Sequence, residues 1–111
     1  MANKFNAVRT NGFASKGEYE CYEYLKLRER AGEIDSIECQ PQVTLTAGIT
    51  YKPDFRYFDL KREKSIYAEY KGVETDRWRM VRKLWKEYGP GPLQVYKGRG
   101  LRIVCVEEIG K

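Results

Sequence analysis

Apolar and polar positions along the chain alternate at two periods, one helical and one strand-like. The first helical stretch opens at Ser15. Glu18 stands three positions on, the spacing of a capping box, and the pattern runs to about Ala31, where Gly32 supplies a stop. Tyr19, Tyr22 and Leu25, joined by Cys21, form its inward stripe, with Arg28, Glu29 and Arg30 toward solvent. A second helix is predicted from Thr75, as N-cap, to about Tyr88, before Gly89-Pro90. Its apolar stripe is Trp78, Val81, Leu84 or Trp85, and Tyr88. The two tryptophans read as core rather than as base-stacking groups.

Strand alternation covers Ile37–Thr46, with Pro41 as a bend or edge position, then Ile49–Asp59, Ile66–Lys71, Leu93–Tyr96 and Leu101–Glu107. The run Ile103, Val104, Cys105, Val106 in the last of these predicts a buried strand. The order αβββαββ implies an α/β fold, a central mixed five-stranded sheet flanked by helices. One domain over residues 1–111 is expected, with 1–14 as an arm or small hairpin turning at Thr10-Asn11-Gly12.

The second and third strands flank the charged turn LKREK and predict a hairpin with a definite register. Asp54 then lies opposite Glu69, Phe55 opposite Ala68, Arg56 opposite Tyr67, Tyr57 opposite Ile66 and Phe58 opposite Ser65. One face is apolar: Phe55, Tyr57, Ile66, Ala68 and Tyr70. The other carries Asp54, Arg56, Glu69 and Lys71.

Composition narrows the chemistry. Net charge is +5 over 111 residues, which points to a polyanionic partner, nucleic acid first. There is no histidine, so zinc sites and Ser-His or Cys-His triads of the usual kind are excluded. Any metal must take oxygen ligands, which favours Mg²⁺, with Mn²⁺ as a substitute. Cys21, Cys39 and Cys105 are widely spaced and odd in number. They read as reduced, mostly buried thiols of a cytoplasmic, non-secreted protein, and no apolar run has membrane-spanning length.

Two carboxylates and a lysine on one hairpin face suit phosphodiester hydrolysis. Asp54 and Glu69 can hold a magnesium ion, the backbone carbonyl of Tyr70 can add a ligand, and Lys71 can orient water or stabilise phosphate charge. Glu18 is the candidate third acid; read locally, it is equally the capping partner of Ser15. Arg56, on the same face, either contacts the phosphate or neutralises the carboxylates.

These residues resemble a known family. Pro53-Asp54 and Glu69-Tyr70-Lys71, with the helical Glu18 upstream, look like the motif of the PD-(D/E)XK nuclease superfamily. The spacing is most similar to the small phage-type Holliday-junction resolvases. The resemblance implies a restriction-endonuclease-like core. It implies Asp54 and Glu69 as metal ligands, Lys71 as the catalytic lysine and Glu18 as the acid completing the site. It also implies a homodimer acting on branched DNA, in the cytoplasm of a bacterial host if phage-encoded, with no small-molecule cofactor. Lys4, Arg9, Lys16, Arg56, Arg79, Arg82, Lys83, Lys97 and Arg99 are the candidate nucleic-acid contacts, although a basic helix face or turn is also an ordinary solvated surface. Two alternatives stay open: an endonuclease of the same fold acting on linear duplex, and a nucleic-acid-binding protein that performs no chemistry.

Overall fold

The computed structural model describes residues 12–111, and the arm candidates Lys4 and Arg9 lie outside them. Helix α1 is Lys16–Arg30, and the Oγ of its N-cap Ser15 accepts from the Glu18 amide at 3.0 Å. Seven strands and a second helix follow: β1 Ile34–Cys39, β2 Val43–Thr46, β3 Ile49–Tyr51, β4 Phe55–Asp59, β5 Lys64–Tyr70, α2 Asp76–Tyr88, β6 Leu93–Lys97 and β7 Val104–Ile109. Thr75 caps α2 by accepting from the Trp78 amide at 3.1 Å. None of the described helices is long and apolar enough to cross a membrane.

The fold is α/β. A mixed five-stranded sheet runs in the order β1-β4-β5-β6-β7, and β2 and β3 form a separate two-stranded sheet. Only β5 and β6 are parallel; α2 makes the crossover between them, as a parallel pair requires. The β4–β5 register is the predicted one: Phe55 with Ala68, Arg56 with Tyr67, Tyr57 with Ile66, Phe58 with Ser65. Asp59 shapes the turn, accepting the Lys61 and Arg62 amides on Oδ1, both at 3.0 Å.

Each face of the sheet has its own core. Cys21 and Leu25 of α1 pack on Phe55, Tyr57, Ile66 and Ala68. Trp78, Val81 and Trp85 of α2 pack on Tyr67, Leu93 and Val95, with Val43 and Leu45 closing that side. The second hairpin face is therefore not an open polar surface: Tyr67 is buried, its ring 5.1 Å from that of Trp85. Both tryptophans are core, as their spacing predicts.

Several expectations need correction. Ile37–Thr46 is not one strand. Gln40 takes a left-handed conformation (φ 51°) and Pro41 offers no amide, so the chain leaves β1 and starts β2 in the other sheet. Ile49–Asp59 likewise divides at Lys52-Pro53-Asp54, and β1 begins at Ile34, three residues before the predicted strand start at Ile37. Val104, Cys105 and Val106 are exposed, because β7 is an edge strand preceded by a short 3₁₀ turn at Gly100–Arg102. Cys39 is exposed too, leaving Cys21 as the buried thiol. Arg28 turns inward: its Nη1 donates to Tyr96 at 3.1 Å and to Tyr57 at 3.4 Å, while Nε donates to Glu33 at 2.9 Å. Tyr57 and Tyr96 both donate to Gln94 Oε1, so the polar atoms of this core are satisfied together.

Trp85 is fully buried and its Nε1 donates to Gly91 O at 2.8 Å. Trp85→Ala is expected to cost about 3–5 kcal/mol through the cavity and the orphaned carbonyl. A urea midpoint that falls at unchanged m-value is the check.

Candidate active site at the mouth of the hairpin

Asp54 stands just before β4 and Glu69 near the end of β5, at the hairpin end away from its turn. Each carboxylate holds the other's strand. The Tyr70 amide donates to Asp54 Oδ2 at 2.8 Å, and the Asp54 amide donates to Glu69 Oε1 at 3.3 Å. Pro53 is buried and the Asp54 carbonyl accepts from the Gln40 amide at 2.8 Å, so the entry to β4 is pinned from both sides. Glu69 is only 5% exposed.

Lys71 closes the group. Its Nζ is 3.4 Å from Glu69 Oε2 and 4.8 Å from the centroid of the Trp78 ring. Its own amide donates to Tyr96 O at 3.0 Å, which anchors the backbone after β5. The sequence reading missed two members of this site. The Tyr51 side chain, from the small β2–β3 sheet, stands close enough to Glu69 to act on its ionisation, and its ring lies 6.3 Å from that of Trp78. Trp78 in turn underlies Lys71. No local pattern marks Tyr51, because its role depends on how β2–β3 folds over α2.

Burial drives the electrostatics. It raises the Asp54 carboxyl to about 7, helped by the Glu69 charge and opposed by the Tyr70 amide and Lys71. Glu69 is raised by burial as well, against the bonds from Tyr51 and Lys71. Burial and the Glu69 charge push the Tyr51 phenol upward in the same way. Two neighbouring buried acids thus resist being ionised together.

Glu18 is buried at the start of α1. Burial raises the Cys21 thiol, and the charges of Asp54, Glu18 and Glu69 add to that. Among the described residues, however, no three acidic or cysteine side chains gather closely enough to hold a metal ion. The structure brings together Asp54, Glu69 and Lys71.

The basic candidates divide by position. Arg56 pairs with Glu38 of β1 and lies over the Tyr67 ring, so it neutralises neither member of the carboxylate pair. Arg79 bonds Asp76 at 2.7 Å, and Arg82 makes a two-bond pair with Glu107. With Lys83 they line a cleft of about 510 Å³ between α2 and β7. Lys97 is half-buried at the end of β6. Lys16 and Arg99 join Lys71 in a second cleft, of about 450 Å³, beside the carboxylate pair.

Residues 2–100 match the family described as "Protein of unknown function (DUF1064)", and the chain belongs to that family. No curated protein matches the chain.

The raised Asp54 carboxyl has a measurable consequence. A carboxyl whose folded value lies above its unfolded one adds stability that is complete below the unfolded value and is lost as pH rises through the folded one. For Asp54 the loss runs from about 3.8 to about 7. In metal-free buffer, stability should therefore fall across this window, by at most about 1.4 kcal/mol per pH unit. Asp54→Asn should flatten the profile of melting temperature against pH.

Proposed function

We propose that the protein is a magnesium-dependent DNA endonuclease with a restriction-endonuclease-like core, selective for branched DNA. The observation that carries this reading is the Asp54–Glu69 pair, buried at the hairpin mouth with the Lys71 ammonium 3.4 Å from Glu69 Oε2. Two like charges sharing a buried place are unstable without a cation or a proton between them. The donor set suits magnesium, which is commonly held by one or two carboxylates and completed by waters and phosphate oxygens.

Asp54 and Glu69 would hold the ion, with the Tyr70 carbonyl as a candidate further ligand. Bound there, it would lower the pKa of an attacking water and offset phosphate charge. The remaining work belongs to the chain. The Tyr70 amide orients Asp54, and the Asp54 amide orients Glu69. Lys71, steadied between Glu69 and the Trp78 face, presents its ammonium to the charge that builds on the phosphate oxygens. Selectivity for branched DNA, a homodimer and a cytoplasmic setting rest on the likeness of Pro53-Asp54 and Glu69-Tyr70-Lys71 to the small phage-type resolvases.

One observation favours a second reading. Glu18 does not complete a three-acid cluster among the described residues, as befits a basic protein that binds nucleic acid and cuts nothing. Cleavage assays on four-way junction, flap and linear duplex with Mg²⁺ or Mn²⁺ separate the readings. The expected result is junction cutting that Asp54→Asn and Glu69→Gln abolish without loss of binding, and that Lys71→Ala slows by about 10²–10³. Mg²⁺ should also raise the melting temperature of the parent at pH 8 and not that of Asp54→Asn. Cutting by both carboxylate variants at the parental rate would sink the site. Binding to every substrate with cleavage of none would leave the non-catalytic reading.

A further inference from the structure

We propose that the cleft between the start of α1 and the end of β5 binds one nucleotide of a nucleic-acid strand, with Lys16 and Arg99 on its phosphate and Val73 against its sugar. The proposal deepens the nuclease reading and rests on it for the direction in which the strand runs.

The cleft measures about 450 Å³, within the range of about 300–1,000 Å³ of small-molecule sites. Its charged lining is Lys16, Lys71 and Arg99, with no carboxylate among the lining residues. The α2–β7 cleft is different, since Glu74, Glu107 and Glu108 stand there among the cations. Lys71 and Arg99 are each paired with an acid outside the lining, Glu69 and Glu20, and Lys16 adds a further positive charge, so the space facing the lining is positive and suits an anion. Lys71 and Tyr70 line the cleft and also touch the Asp54–Glu69 pair, so an anion seated there lies next to the proposed reacting phosphate.

The walls are tied to one another before any ligand arrives. The Tyr70 ring packs against Gly17 so closely that a Cβ there would come within 2.4 Å of it. The Tyr70 hydroxyl donates to Gly98 O at 2.7 Å, joining β5 to the 97–100 turn. Glu20 of α1 holds that turn as well, accepting from Arg99 Nε at 2.7 Å and from the Gly100 amide at 2.9 Å. Glu20 takes the Nε and Nη2 donors of Arg99, which leaves the Nη1 edge of the half-exposed guanidinium for an oxyanion. Val73 is 76% exposed at the rim, an apolar surface beside cations that suits a sugar ring. The apolar Val73 rim beside the cations and the cleft size together favour a nucleotide over an acidic peptide.

The test is anisotropy of a labelled four-way DNA junction in EDTA over a salt series, which reads binding apart from cutting. Lys16→Ala and Arg99→Ala should each raise Kd about 3–10-fold and lower the slope of log Kd against log salt by about one. Lys64→Ala, the same charge change at the far end of β5, should alter neither. Lys16 is exposed, so its variant keeps the test valid even if Arg99→Ala unfolds by stripping Glu20 of its partner. Parental Kd and slope in Lys16→Ala, or an equal loss in Lys64→Ala, overturns the proposal. Equal affinity for a labelled polyglutamate peptide overturns the nucleotide assignment. Asp54→Asn cutting at the parental rate sinks the catalytic reading and leaves the salt slopes to judge the cleft alone.

Discussion

The mutual hold of Asp54 and Glu69 is the constraint on which the rest of this structure turns. Each side chain bonds the backbone of the other's strand, so the site and the pairing of the hairpin are one object. A slip of β5 by one residue would send Glu69 to the α1 face and drive Ala68 out of the core, separating Glu69 from Asp54. The apolar face thus enforces the register, and the register sets the carboxylates together. Their burial is unfavourable by itself. The Tyr70 and Asp54 amides, Tyr51 and Lys71 offset it.

The two cores hold that hairpin from opposite sides. Against α1 the packing is apolar around Cys21 and Leu25 but ends in the Arg28–Tyr57–Tyr96–Gln94 network. Against α2 it is aromatic, with Trp78 placed under Lys71 and Trp85 against Tyr67. The start of α1, the end of β5 and the 97–100 turn meet at the same mouth. Rigid walls around an open, charged mouth are what a site for a polyanion requires, since little ordering is left to be done on binding.

Particular residues show why some of this was legible in advance. The Ser15 and Thr75 caps are contacts over three residues, and their spacing alone implies them. The β4–β5 register follows from alternation around a short charged turn, again a local matter. Tyr51 is the opposite case. It reaches Glu69 because β2 and β3 form their own small sheet over α2, and a periodicity of two looks the same in either sheet. Arg28 occupies a helix position that reads as solvent-facing, yet two tyrosine hydroxyls from distant strands draw it inward. The apolar run 104–106 promised burial, and an edge position denied it.

By itself, the sequence determined the element types, the two caps, the hairpin register and the pairing of Asp54 with Glu69 near Lys71. All of these depend on neighbours within a few residues or across one turn. Only the tertiary structure decided that Arg56 pairs with Glu38, that no three-acid cluster forms among the described residues, and that Lys16, Lys71 and Arg99 face one cleft. Those outcomes join elements far apart in the chain, such as Glu20 with Arg99, and residue periodicity carries no information about which distant surfaces a packed sheet will bring together.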